Sequence, residues 1–101
     1  MENRDFPALS GKEFLIMELL DENGEMFGLE MVESSQGELK KGTIYVTLGR
    51  MVEKDLLTSW EEGAGETVSA SPRRLYAATD FGTRVFKAQE IALKYLNMGG
   101  W

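Results

Sequence analysis

The segment GTIYVTLGRMVEKDLLTSWEE, residues 42–62, changes its hydrophobic period part-way along. From Thr43 to Lys54 the apolar residues Ile44, Leu48, Met51 and Val52 fall at i, i+4, i+7 and i+8, one face of an α-helix. From Leu56 onward the pattern alternates, with Leu57, Ser59 and Glu61 on one side and Leu56, Thr58 and Trp60 on the other. That is the period of a strand. Neither a short amphipathic helix nor a lone strand can bury its apolar side by itself. Both need covers from elsewhere in the chain, so the order of the neighbouring elements constrains the fold.

Upstream, SGKEFLIMELLDENG carries a helix signature. Ser10 and Glu13 have the S-x-x-E spacing of a capping box, and Asn23-Gly24 supplies a stop. Phe14, Leu15, Ile16, Met17, Leu19 and Leu20 leave it little polar face, so it needs cover on more than one side, and a second subunit is one source. A shorter helix is expected over EMFGLEMVESS, with Phe27, Met31 and Val32 as its buried stripe, and SQGEL reads as a turn. Three short helices in series followed by a strand form a helix-turn-helix pattern. Downstream, GAGETVSASP reads as a hairpin tip and RRLYAAT as the return strand, a wing.

Thr79 and Asp80 then suit the start of a last helix, running to about Leu96. Phe81, Val85, Ala88, Ala92, Tyr95 and Leu96 form one stripe, and Phe86 and Leu93 a second, about a third of a turn away. One stripe can pack on its own domain; the second needs a partner, most simply a second copy. The expected dimer interface is Phe14, Leu15, Met17, Phe86, Leu93 and Leu96. The expected class is mainly α with a small β-hairpin (α+β): a winged helix-turn-helix with a C-terminal dimerisation helix. One domain is expected over 1–101, the helix-turn-helix and wing over about 10–79 and the dimerisation helix over about 80–97.

The 101 residues allow one domain with a modest core, and no apolar run approaches the roughly 20 residues of a membrane span. MENRDFPALS has neither the basic lead nor the apolar run of a secretory signal, so the expected address is cytoplasmic. The chain has no cysteine and no histidine, which removes thiolate sites, disulfides and the commonest general base. With no phosphate-binding glycine loop and no metal-ligand spacing, neither an enzyme nor a cofactor or metal is expected.

The net charge of -6 is unevenly spread. Residues 1–39 hold ten acidic against two basic side chains, whereas residues 40–87 hold eight basic against six acidic. Charges beyond a Debye length of about 8–10 Å are screened, so a phosphate surface responds to that locally basic middle. Ordinary surface scatter is the alternative. On a helical wheel, Thr43, Val46, Arg50 and Glu53 lie opposite the apolar stripe, with Tyr45 and Thr47 on its flanks. A helix entering the major groove needs such side chains. Lys40, Lys41 and Thr43 stand where phosphate oxygens would approach its first turn; Val46 suits a thymine methyl, and Arg50 suits guanine or phosphate. Arg73 and Arg74 flank the wing. Each has a plainer role: Tyr45 as a packed flank, Arg50 in an intrahelical pair, Arg73 and Arg74 as guards of an edge strand.

The order of motifs resembles the PadR-like transcriptional regulators. FGLEMVE is similar to the family's G-Y-E-I segment at Gly28, Leu29, Glu30 and Met31. GELKKGTIYVTLGRMVEKDLL resembles its recognition region, G-x-L-x-P-S-T-L-Y-P-x-L-x-R-L-E-x-x-G-L, and SPRRLYAATDFGTRVF its P-x-R-x-Y-x-L-T-x-x-G block at Pro72, Arg74, Tyr76, Thr79 and Gly82. The likeness implies a winged-helix repressor that binds double-stranded DNA as a homodimer, with Thr43 and Tyr45 among the DNA contacts. It also implies a small aromatic or lipophilic effector as a possible partner. The chain departs from the pattern at Leu29 (usually aromatic), Gly42 (often a phosphate-binding serine) and Asp55 (usually glycine). The rival expectation is a winged-helix module that binds protein rather than DNA.

Overall fold

The computed structural model describes residues 8–62 and 73–99, so the expected wing tip lies outside the described residues. In chain order the elements are α1 (Gly11–Asn23), β1 (Glu25–Phe27), α2 (Gly28–Ser34), α3 (Ile44–Glu53), β2 (Leu57–Glu62), β3 (Arg73–Ala78) and α4 (Asp80–Gly99). The strands form an antiparallel sheet of order β1-β3-β2. The arrangement is the expected winged helix-turn-helix.

The local signals act as their chemistry dictates. The Glu13 N–H donates to Ser10 Oγ at 3.2 Å, and the Ser10 N–H donates to Glu13 Oε1 at 2.9 Å, which completes the capping box of α1. Asp55 ends the α3 corner in the left-handed region, φ 67°, the role a glycine would fill more cheaply. The Thr79 hydroxyl donates to the Asp55 carbonyl at 2.6 Å and accepts from the Gly82 N–H at 2.8 Å. The start of α4 is therefore seated on the α3–β2 corner. A side chain on Gly82 would collide there: its Cβ would lie 2.9 Å from the Leu56 carbonyl carbon and 3.0 Å from Leu56 Cα.

Three expectations need correction. The segment 25–35 is not one helix, because Glu25–Phe27 pairs with β3, Met26 opposite Tyr76. Three residues are too few to show alternation, and their partner lies some 50 positions away. Second, α1 finds its covers within one chain, where it touches α2, α4, β1 and β3. Met17, at 1% exposure, is therefore core and has no area to offer a partner.

Third, α4 is divided along its length rather than around its circumference. Val85 and Phe86 are buried, Phe86 at 2% exposure with its ring 5.0 Å from that of Phe14. Phe86 is thus also removed from the expected interface. One turn on, the Gln89 amide clamps the backbone of Leu9, donating to its carbonyl at 3.1 Å and accepting its N–H at 2.8 Å. Beyond that clamp Ile91, Leu93, Tyr95 and Leu96 are all exposed, the last two at 72% and 69%. Twenty residues of helix span about 30 Å, and its described residues from Ile91 to Leu96 are all exposed.

Candidate nucleic-acid interface

The turn into α3 is built around Ser35. Its hydroxyl donates to the Val32 carbonyl at 2.8 Å and accepts from the Leu39 N–H at 2.9 Å, so this buried polar group is satisfied on both sides. Leu39 is buried, which draws residues 40–43 onto the surface at the head of α3. Ile44, Leu48 and Met51 anchor the helix in the core as their spacing predicts. At its far end Lys54 Nζ meets Glu13 Oε2 at 2.7 Å, a pair linking α3 to the first turn of α1. Burial would raise the Glu13 carboxyl. The Lys54 hydrogen bond, the Ser10 N–H and hydroxyl, and the lysine charge outweigh burial and hold it below its usual 4.5.

This anchoring turns Tyr45, Val46, Gly49, Arg50 and Glu53 outward. Tyr45 is 49% exposed and Val46 56%, high values for an aromatic and a β-branched side chain. Lys40, Lys41, Gly42 and Thr43 precede them, all exposed. Thr43 occupies the N-cap position, yet its side chain makes no capping bond. Thr47 is half-buried and turns its hydroxyl back on the Thr43 carbonyl at 3.4 Å, a weak bond that points it away from the outer face. Lys40, Lys41 and Arg50 form no ion pair with another described residue, whereas Lys54, Arg74 and Lys87 are each paired with an acid.

Tyr45 leans on α2. A Cβ on Gly28 would lie 2.7 Å from Tyr45 Cε1, so only glycine admits the ring in this position. On the wing, Glu61 stands opposite Arg74, whose guanidinium donates to Glu61 Oε2 at 3.1 Å and Ser59 Oγ at 3.0 Å. That pair cancels one of the wing's acids and engages Arg74 within the sheet. The Arg73 guanidinium lies over the Phe27 ring, 4.1 Å from its centroid.

Three of the expected site residues, Tyr45, Arg73 and Arg74, line one open groove of about 700 Å³, with Phe27, Leu29, Glu30, Glu33 and Tyr76. Burial pushes the Tyr76 phenol above its usual value, so it stays a neutral hydrogen-bonding group. Lys40, Lys41, Thr43, Val46 and Arg50 lie outside the groove, along the head and outer face of α3. The α2 wall of the groove was not anticipated; its one sequence trace is Gly28, the small residue that lets Tyr45 close in. Among the described residues no group of histidine, cysteine or carboxylate side chains could hold a metal ion. No helix among them is long and apolar enough to cross a membrane.

The comparisons agree with this geometry. The chain is similar to the crystal structure of a PadR-like transcription factor from Bacteroides fragilis at 25% identity and a TM-score of 0.71, over 84% of this chain and 82% of that one. A PadR family transcription regulator from Clostridium difficile R20291 matches at 26% identity and a TM-score of 0.70, over 84% and 88%. Another from Eggerthella lenta matches at 27% and 0.69, over 85% and 74%. No curated protein matches the chain significantly. The family model described as the transcriptional regulator PadR-like family matches residues 16–88, from the middle of α1 to the middle of α4. The chain therefore belongs to the PadR-like family, whose members are transcriptional regulators rather than enzymes.

Proposed function

We propose that the protein is a homodimeric repressor that binds specific sequences in double-stranded DNA. The observation that carries the reading is the outward face of α3. It is exposed, headed by Lys40 and Lys41, and anchored from behind by three buried residues in an otherwise acidic chain. Lys40, Lys41 and Thr43 meet phosphate oxygens, Tyr45 and Arg73 meet the sugar-phosphate backbone, and Val46 and Arg50 enter the groove. Arg74 joins them only by exchanging Glu61 for a phosphate. Thr47 supports the helix from within.

The dimer forms through the free half of α4, Leu93 and Leu96 together with Ile91 and Tyr95, and through Phe14 and Leu15. The exposed apolar side chains beyond Gln89 support this, since four of them within the six residues 91–96 seldom stay in water. The Tyr45–Tyr76 groove is where a small aromatic or lipophilic effector fits best, and its volume is within the range of ligand sites.

A gel-shift titration on DNA from upstream of the protein's own gene, across salt concentration, tests the reading. Sequence-preferring binding that weakens steeply with salt is expected. No preference even at low salt would remove DNA as the target, and a stoichiometric protein partner recovered at the same time would install the protein-binding module instead.

A further inference from the structure

We infer that Val46 and Arg50 read the operator's bases, a thymine through its methyl group and a guanine about one to two base pairs away in each half-site. The inference rests on the DNA-binding reading above and narrows it from DNA to a base pattern. The groove-facing side of α3 carries four residues, Val46, Gly49, Arg50 and Glu53, and each has a different chemical capacity. Val46 has no polar atom and is 56% exposed in the first turn. In the major groove only the thymine methyl offers an apolar partner.

Arg50, one turn further along the same face, is exposed and unpaired among the described residues. Its planar fork matches guanine O6 and N7. Gly49 lies between them with open space where a Cβ would stand, so nothing holds the helix off the base edges there. Glu53 lies about 10 Å past Val46 along the axis and repels phosphate, so entry is by the first two turns. Side chains three to four residues apart on a helix lying in the major groove reach neighbouring base pairs, which places the guanine about one to two base pairs from the thymine.

The test begins with selection of binding sites from random DNA, followed by removal of single groups from the selected duplex. Deoxyuridine in place of thymidine deletes only the methyl; 7-deazaguanine deletes only the N7 acceptor. At one thymine per half-site, methyl removal weakens the wild-type protein about four-fold for each half-site altered, the value of one buried carbon. Val46→Ser, which withdraws both valine methyls and puts a hydroxyl in their place, binds more weakly and no longer responds to the methyl. At a guanine about one to two base pairs away, 7-deazaguanine weakens the wild type by about ten-fold or more, and Arg50→Gln is indifferent to it.

Both side chains are exposed, so circular-dichroism melts of the variants should coincide with the wild type. A selected operator without a methyl-sensitive thymine overturns the inference, and so does a thymine or guanine effect that persists in its variant. DNA binding itself would survive that outcome. Absence of sequence-preferring binding would instead remove the reading on which the inference rests, and the inference with it.

Discussion

The same change, glycine to alanine, should have opposite consequences at two positions. At Gly82 the new methyl would sit 2.9–3.0 Å from Leu56 backbone atoms, well inside ordinary contact distance. That backbone cannot yield, because the Leu56 carbonyl accepts the Thr79 N–H at 3.0 Å and the Leu56 N–H donates to the Met51 carbonyl at 2.9 Å. The methyl would also overlap the Leu56 carbonyl oxygen, so the upper end of the about 1–3 kcal/mol cost of overpacking applies, and the helix preference of alanine offsets up to about 1. A net loss of about 2 kcal/mol lowers the Tm of a chain this size by roughly 8–16 °C. At Gly28 the obstacle is the ring of a half-exposed tyrosine, which can swing outward, so Gly28→Ala should change Tm by no more than a few degrees. It should nevertheless weaken DNA binding, because Tyr45 is displaced. Thermal melts with operator titrations on both variants decide the matter. A Gly82→Ala protein as stable as wild type would refute the argument that the α4 start is locked against the α3–β2 corner.

Other outcomes follow from the same geometry. The Glu13 carboxyl is held below its usual 4.5, so its stabilisation is complete above the unfolded value and is lost as pH falls through the lowered folded one. Glu13→Gln should flatten that part of the acid unfolding curve and cost about 1 kcal/mol at neutral pH, because Lys54 is half-exposed; an unchanged curve in urea titrations from pH 5 to pH 3 would count against the pair. The proposed dimer should be broken by Leu93→Glu with Leu96→Glu, so sedimentation should give a lower mass for this variant than for the wild type at the same concentration, without loss of helix content; equal masses would count against the α4 interface. Lys40→Ala and Lys41→Ala each remove one phosphate contact per subunit, so each should lower the slope of log affinity against log salt by about 1.8 for the dimer while leaving sequence preference unaltered.

Local chemistry was legible wherever partners lie within a turn or two of each other. The S-x-x-E box of α1, the 44/48/51 stripe of α3, the left-handed Asp55 and the Thr79 cap need only neighbours, and each takes the conformation its residues favour. Contacts between distant residues were not legible. The Lys54–Glu13 pair joins positions 41 apart, and the β1 strand is a strand only because β3 returns beside it. Arg74 looked like a free cation until the hairpin register set Glu61 opposite it.

The helical wheel of α4 shows how far periodicity reaches. It identifies apolar stripes, but a stripe says nothing about where the body it packs on comes to an end. By itself the sequence determined the type of every element but β1, the helix-turn-helix order, and the outward set Val46, Arg50 and Glu53, because periodicity and caps act over a few residues. The tertiary structure decided that Met17 and Phe86 belong to the core, that the uncovered half of α4 starts past Gln89, and that Tyr45 rests on Gly28. Those outcomes depend on the height of the folded body and on close approach between segments, and both exist only once the chain has packed.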